Sequence, residues 1–150
     1  MKVIIISIYL LTAGLSNVEA GADADHHSHK GHETSGLSLN QGSKWKTDAP
    51  LRQGMLKIND EFKKFSASFH NDTLTKKDAS KLAKNINEQV EYLITNCKLK
   101  PEADATLHVL IGDLLQGADA LSKKPLSMNG MPKIHKALML YTEYFDQPGK

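Results

Sequence analysis

Apolar residues recur at helical spacing in four successive segments of this chain, and that periodicity limits its fold more than any other feature. Leu51, Met55, Ile58, Phe62, Phe65 and Phe69 alternate steps of four and three, which puts them on one stripe of a helix. Asp48 offers a cap ahead of them and Pro50 suits the first turn. The second stripe is Ala79, Leu82, Ile86, Val90, Leu93 and Cys97. Thr75 stands three residues before Asp78 in the manner of a capping box, and Leu74 is placed to staple against Ala79. A third pattern opens at Pro101, with Glu102 and Asp104 suited to the positive end of the helix dipole. Leu107, Ile111, Leu114, Ala118 and Leu121 form its stripe, widened by Leu110 and Leu115. Gly112 and Gly117 interrupt it, each at a cost of up to about 1 kcal/mol relative to Ala, and offer close helix packing. Residues 122–130 read as a loop, after which Pro132 opens a fourth helix carrying Ile134, Leu138, Tyr141 and Phe145. No stretch supports strands. Short connections make sequential helices antiparallel, so the spacing predicts an all-α, up-down-up-down four-helix bundle over residues 48–150.

Upstream of the bundle the chemistry changes twice. Lys2, the apolar run from Val3 to Leu15, and Val18-Glu19-Ala20 before Gly21 follow the order of a cleavable signal peptide spanning residues 1–20. The apolar run is shorter than the roughly 20 residues that cross a hydrocarbon core, and no later segment is apolar enough to span one. Export without membrane insertion is therefore expected, with no lipid-bearing Cys after the junction. Residues 21–47 are rich in Gly, Ala, Asp, Ser, His and Lys without apolar period, and read as a flexible His-rich arm. Trp45, the single tryptophan, stands near its end as a docking point.

Export gives the cysteine count a meaning. One Cys, Cys97, excludes an intramolecular disulfide and leaves a lone thiol in an oxidising compartment. Such a thiol is buried and inert, paired between chains, or a ligand for a soft metal. Its place on the second stripe favours the small buried hydrophobe. The 19 basic and 17 acidic residues are well mixed, for a net charge of +2, which gives no support to nucleic-acid binding. Asn71-Asp72-Thr73 fits the N-glycosylation pattern, which matters only in a eukaryotic secretory route. The short signal and absent disulfides point instead to the periplasm, with an extracellular location as the alternative.

The densest chemical feature is His26-His27-Ser28-His29-Lys30-Gly31-His32, flanked by Asp23, Asp25 and Glu33. Neutral imidazoles on a pliable chain suit copper, nickel or zinc, with little geometric selectivity. A second ligand set is Met55, Cys97, Asp104 and His108. The start of the first helix, the end of the second and the start of the third share one end of an antiparallel bundle. Asp104 and His108 also lie on one helical face. Thioether, thiolate and imidazole together suit Cu(I), and the carboxylate would orient the ring. The plainer alternative keeps Met55 and Cys97 in the core with His108 bordering the seam. A Cys–His–Asp hydrolase would use the same residues but needs an exposed thiol and an oxyanion hole, and no nucleophile setting is visible. His70 and His135 could meet at the opposite end, though His70 is also placed to stabilise a helix C-terminus. Met128, Met131 and Met139 are soft donors or irregular packing. Covalent haem is excluded, since no Cys-x-x-Cys-His occurs, and non-covalent haem between Met55 and His108 is a remote alternative.

Two stretches carry a family resemblance: Lys44-Trp45-Lys46-Thr47-Asp48 running into Leu51-Arg52-Gln53-Gly54-Met55, and Cys97-Lys98-Leu99 running into Ala103-Asp104 and Leu107-His108. Over about residues 44–149 the chain resembles small exported helical-bundle proteins of Gram-negative bacteria that have no settled function. The resemblance implies compartment and fold, not chemistry. Periplasmic stress chaperones with an L-T-x-x-Q motif are a looser comparison, and that motif is absent here. The expectation is thus a non-enzymatic periplasmic metal-binding protein, a carrier, buffer or sensor that uses its arm and that another periplasmic protein could partner. The alternative is a structural or partner-binding helical module in which the arm is a spacer.

Overall fold

The computed structural model describes residues 36–123 and 129–147. Four helices follow in order: α1 Ala49–His70, α2 Lys76–Asn96, α3 Pro101–Lys123 and α4 Gly130–Tyr144. Among the described residues the β pairings are two isolated bridges, Asn40 with Ser43 and Trp45 with Phe145. None of these helices is long and apolar enough to cross a membrane. The expected signal segment and the histidine run lie outside the described residues.

The expected caps form. Asp48 Oδ1 accepts from the Leu51 N–H at 2.8 Å, and Pro50 occupies the first turn of α1. Thr75 Oγ1 accepts from the Asp78 N–H at 3.1 Å and donates to Asp78 Oδ2 at 2.6 Å, and Leu74 and Ala79 are both buried. Between these helices the chain reverses through Asp72, whose φ of +53° is one that an Asx side chain tolerates.

Cross-helix contacts fix the directions. Gln53 near the start of α1 accepts from Tyr92 near the end of α2, and Glu61 accepts from Asn85 farther along, so α1 and α2 run antiparallel. Asp113 and Gln116 of α3 reach Lys136 and Lys133 of α4 in the same reversed order. Each helix packs on its sequence neighbours, and α1 closes on α4 through the Phe62 ring, stacked on His135 at 5.7 Å.

Three features depart from the sequence pattern. The stripe of α1 is buried at Leu51, Met55 and Ile58, but Phe62, Phe65 and Phe69 are only half-buried. With 15 residues, α4 is about 22 Å long against about 33 Å for the 22 residues of α1, too short to cover the last turns. Second, α4 begins at Gly130 rather than Pro132. A Cβ on Gly130 would lie 2.8 Å from Leu121 Cγ, and one on Gly117 would lie 2.6 Å from Ile134 Cγ1. These two glycines let α3 and α4 approach closely, whereas a Cβ on Gly112 would meet nothing within 4 Å. Third, residues 36–47, expected as the end of the arm, pack on the bundle. Trp45 exchanges backbone hydrogen bonds with Tyr144 and Asp146 at 2.8 Å each, and its indole N–H donates to the Ser38 carbonyl at 2.6 Å. Leu37 and Trp45 pack against the core while Leu39 stays exposed, and the backbone of Trp45 finds its partners at the end of α4.

Candidate functional site

The end of the bundle where α1 starts and α2 gives way to α3 holds most of the chemically interesting side chains. Asp48 organises it. One carboxylate oxygen caps α1, and the other accepts from the Lys98 N–H at 2.7 Å, tying the α2–α3 connection to the mouth of α1.

Cys97 sits beside this junction. Helix α2 ends at Asn96, and Cys97 is its C-cap with extended backbone, φ −68° and ψ 140°. Leaving the helix takes Cys97 off the stripe that the sequence assigned to it, and its side chain is half-buried rather than a full core member. The chain must straighten here because only three residues remain before Pro101 opens α3. Burial pushes the thiol pKa up to about 12, and the neighbouring Asp48 and Asp104 carboxylates push in the same direction. A thiol held protonated is a poor nucleophile, because attack belongs to the thiolate.

A shallow cavity of about 320 Å³ brings together Cys97, Asp104 and His108 between α2 and α3. Asp104 and His108 are paired as one turn of helix requires. The imidazole Nδ1 lies 2.9 Å from the Asp104 carbonyl oxygen and 3.3 Å from Asp104 Oδ2, with both side chains largely in solvent. Met55, the remaining member of the expected set, is 1 % exposed and does not line this cavity. Among the described residues, no group of three or more His, Cys, Asp or Glu side chains is arranged to hold a metal ion.

The other soft-donor candidates are dispersed. His70 lies edge-on to its neighbour Phe69, and His135 stacks flat on Phe62. Met131 is buried and Met139 is exposed on the same helix, so the two face different surroundings, while Met128 lies outside the described residues. His26, His27, His29 and His32 lie outside them too.

What the sequence pattern did not reveal is a second cavity at this end, about 680 Å³, lined by Lys44, Lys46, Lys98 and Lys100. Its signal was present in two Lys-x-Lys triads, each centred on an apolar residue, Trp45 in one and Leu99 in the other. In extended chain, alternate residues face opposite sides. Trp45 and Leu99 turn towards the core, and their flanking lysines are left exposed. That the two triads meet could not be read from either alone. Comparison with protein-family models, with curated proteins and with solved structures finds no match for this chain.

Proposed function

We propose that this chain is an exported, non-enzymatic metal-binding protein whose N-terminal arm captures copper, nickel or zinc in the periplasm. The observation that carries this reading is the sequence run His26, His27, His29 and His32, four imidazoles within seven residues and downstream of a signal-like segment. Neutral imidazole is the commonest metal ligand among side chains, and a chain rich in Gly and Ser can fold its ligands around an ion. The bundle serves as carrier for the arm. We place metal capture on the arm ahead of Cys97 and His108, because Met55 is buried away from the cavity that Cys97, Asp104 and His108 line, which leaves that set without its thioether.

Calorimetric titration of Cu(II), Ni(II) and Zn(II) into the mature protein, and into a form with His26, His27, His29 and His32 all replaced by Ser, tests the proposal. Saturable binding that the replacement abolishes, and that weakens as pH falls below the imidazole range near 6.5, is the expected outcome. Equal and negligible heats from both proteins would overturn it and favour a partner-binding helical module with the arm as spacer.

A further inference from the structure

We propose that the lysine-lined cleft at the α1-start, α2-end and α3-start pole binds a phosphate-bearing anion. This site is separate from the metal-capturing arm and does not depend on it. Its basis is the convergence of two chain segments about fifty residues apart onto one 680 Å³ cavity, a volume within the roughly 300–1,000 Å³ range of small-molecule sites.

Four lysines line that cavity, and Asp48 is its single acidic lining residue, so the lining residues carry a formal charge of +3 (four Lys less one Asp). The whole chain carries +2. Asp48 is also the least available counter-charge, since both of its oxygens already accept backbone N–H groups, one from Leu51 and one from Lys98. Lys44 is anchored, its Nζ donating to the Thr142 carbonyl at 2.6 Å. Among the described residues Lys46, Lys98 and Lys100 have no carboxylate within 4 Å, as is also the case for Lys63, Lys76, Lys77 and Lys81, so the cleft differs in gathering its lysines around one cavity. A multivalent anion seated in the cavity can meet several of these lysine donors at once.

The size of the charge selects the ligand class. A monocarboxylate neutralises one of the three, whereas a phosphomonoester or pyrophosphate offers two or three negative charges and several acceptor oxygens to the rotatable Lys donors. The start of α3 opens beside Lys100 and Ala103 lines the cleft, but Glu102 and Asp104 in that first turn offset the helix dipole, so the attraction for an anion comes from the lysines. The cavity is larger than a phosphate, which leaves room for an organic group beside it.

The test uses the full chain, freed of metal over a chelating resin and held at pH 8 so that the imidazoles are neutral. Pyrophosphate is titrated calorimetrically into the wild type, into K46Q/K98Q/K100Q, into K46R/K98R/K100R, and into K63Q/K76Q/K77Q as a control for lost surface charge. Parallel sedimentation uses vesicles of phosphatidylglycerol, with phosphatidylcholine vesicles as the blank, to separate a lipid headgroup from a free phosphate. The expected result is saturable binding to pyrophosphate or to the anionic vesicles. It should be at least about tenfold weaker in the cleft Gln variant, and retained in the Arg variant and the control. Absence of saturable binding to both probes, or an equal loss in the control variant, would overturn the proposal.

Discussion

Replacing Gly112 and Gly117 by Ala, one at a time, tests the packing of α3 on α4 with a single chemistry at two places five residues apart. In a helix interior the change from Gly to Ala gains about 1 kcal/mol from backbone entropy and hydration alone. At Gly112 the new methyl meets nothing within 4 Å, so the whole gain should appear as stability. At Gly117 the methyl would fall 2.6 Å from Ile134 Cγ1 and 3.0 Å from the Gly130 carbonyl oxygen. The side-chain atom belongs to a β-branched residue with one favoured rotamer in a helix, and the oxygen is backbone, so neither yields cheaply. Overpacking of this kind costs about 1–3 kcal/mol. The propensity term is common to both variants and cancels between them. G112A should therefore be more stable than G117A by about 1–3 kcal/mol, with G112A above the wild type. Thermal unfolding followed by far-UV circular dichroism resolves this, since 1 kcal/mol moves the midpoint of a small domain by about 4–8 °C. Equal midpoints for the two variants would refute the close approach of α3 and α4 at Gly117 and Gly130.

Two further predictions concern the Asp48 junction. Asp48→Ala removes the cap of α1 and the acceptor for the Lys98 N–H, and should cost about 2 kcal/mol, while Asp48→Asn keeps the cap and should cost about half as much. Urea denaturation measures both, and a wild-type midpoint for the Ala variant would contradict the clamp. Cys97 and Tyr141 make the bundle alkali-sensitive. Both pKa values are raised to about 12, from 9.0 and 10.0, in each case first by burial. The unfolded chain therefore loses these protons at lower pH than the folded one, and their contribution is present below pH 9 and is lost as pH rises towards 12. Stability measured from pH 8 to 11 should fall, and C97A should fall less steeply over the first part of that range. Alkylation of native Cys97 at pH 8 should be slow, and faster in Asp48→Asn, where one of the raising charges is gone.

How much was legible beforehand depended on the range over which each cause acts. Helix content, the Asp48 and Thr75 caps and the inward faces of α2 and α3 are set by residues within a few positions of one another, and these followed from spacing and cap chemistry. The expected ligand set was Met55, Cys97, Asp104 and His108, drawn from one pole of the bundle. Cys97, Asp104 and His108 line one cavity, and Met55 does not join them because it turns into the core. The half-burial of Phe62, Phe65 and Phe69 was invisible because it depends on where a different helix begins.

The amino-acid sequence by itself thus determined four amphipathic helices, a lone thiol and a histidine run, since each is a matter of local periodicity or composition. Tertiary structure alone decided that Gly117 and not Gly112 is pressed against a neighbour, and that Cys97 leaves its stripe beside Asp48. It also decided that two Lys-x-Lys triads become one cleft. The physical reason is the same in each case. A side chain's environment is made by segments distant in the chain, and only the packed bundle specifies which of them arrive together.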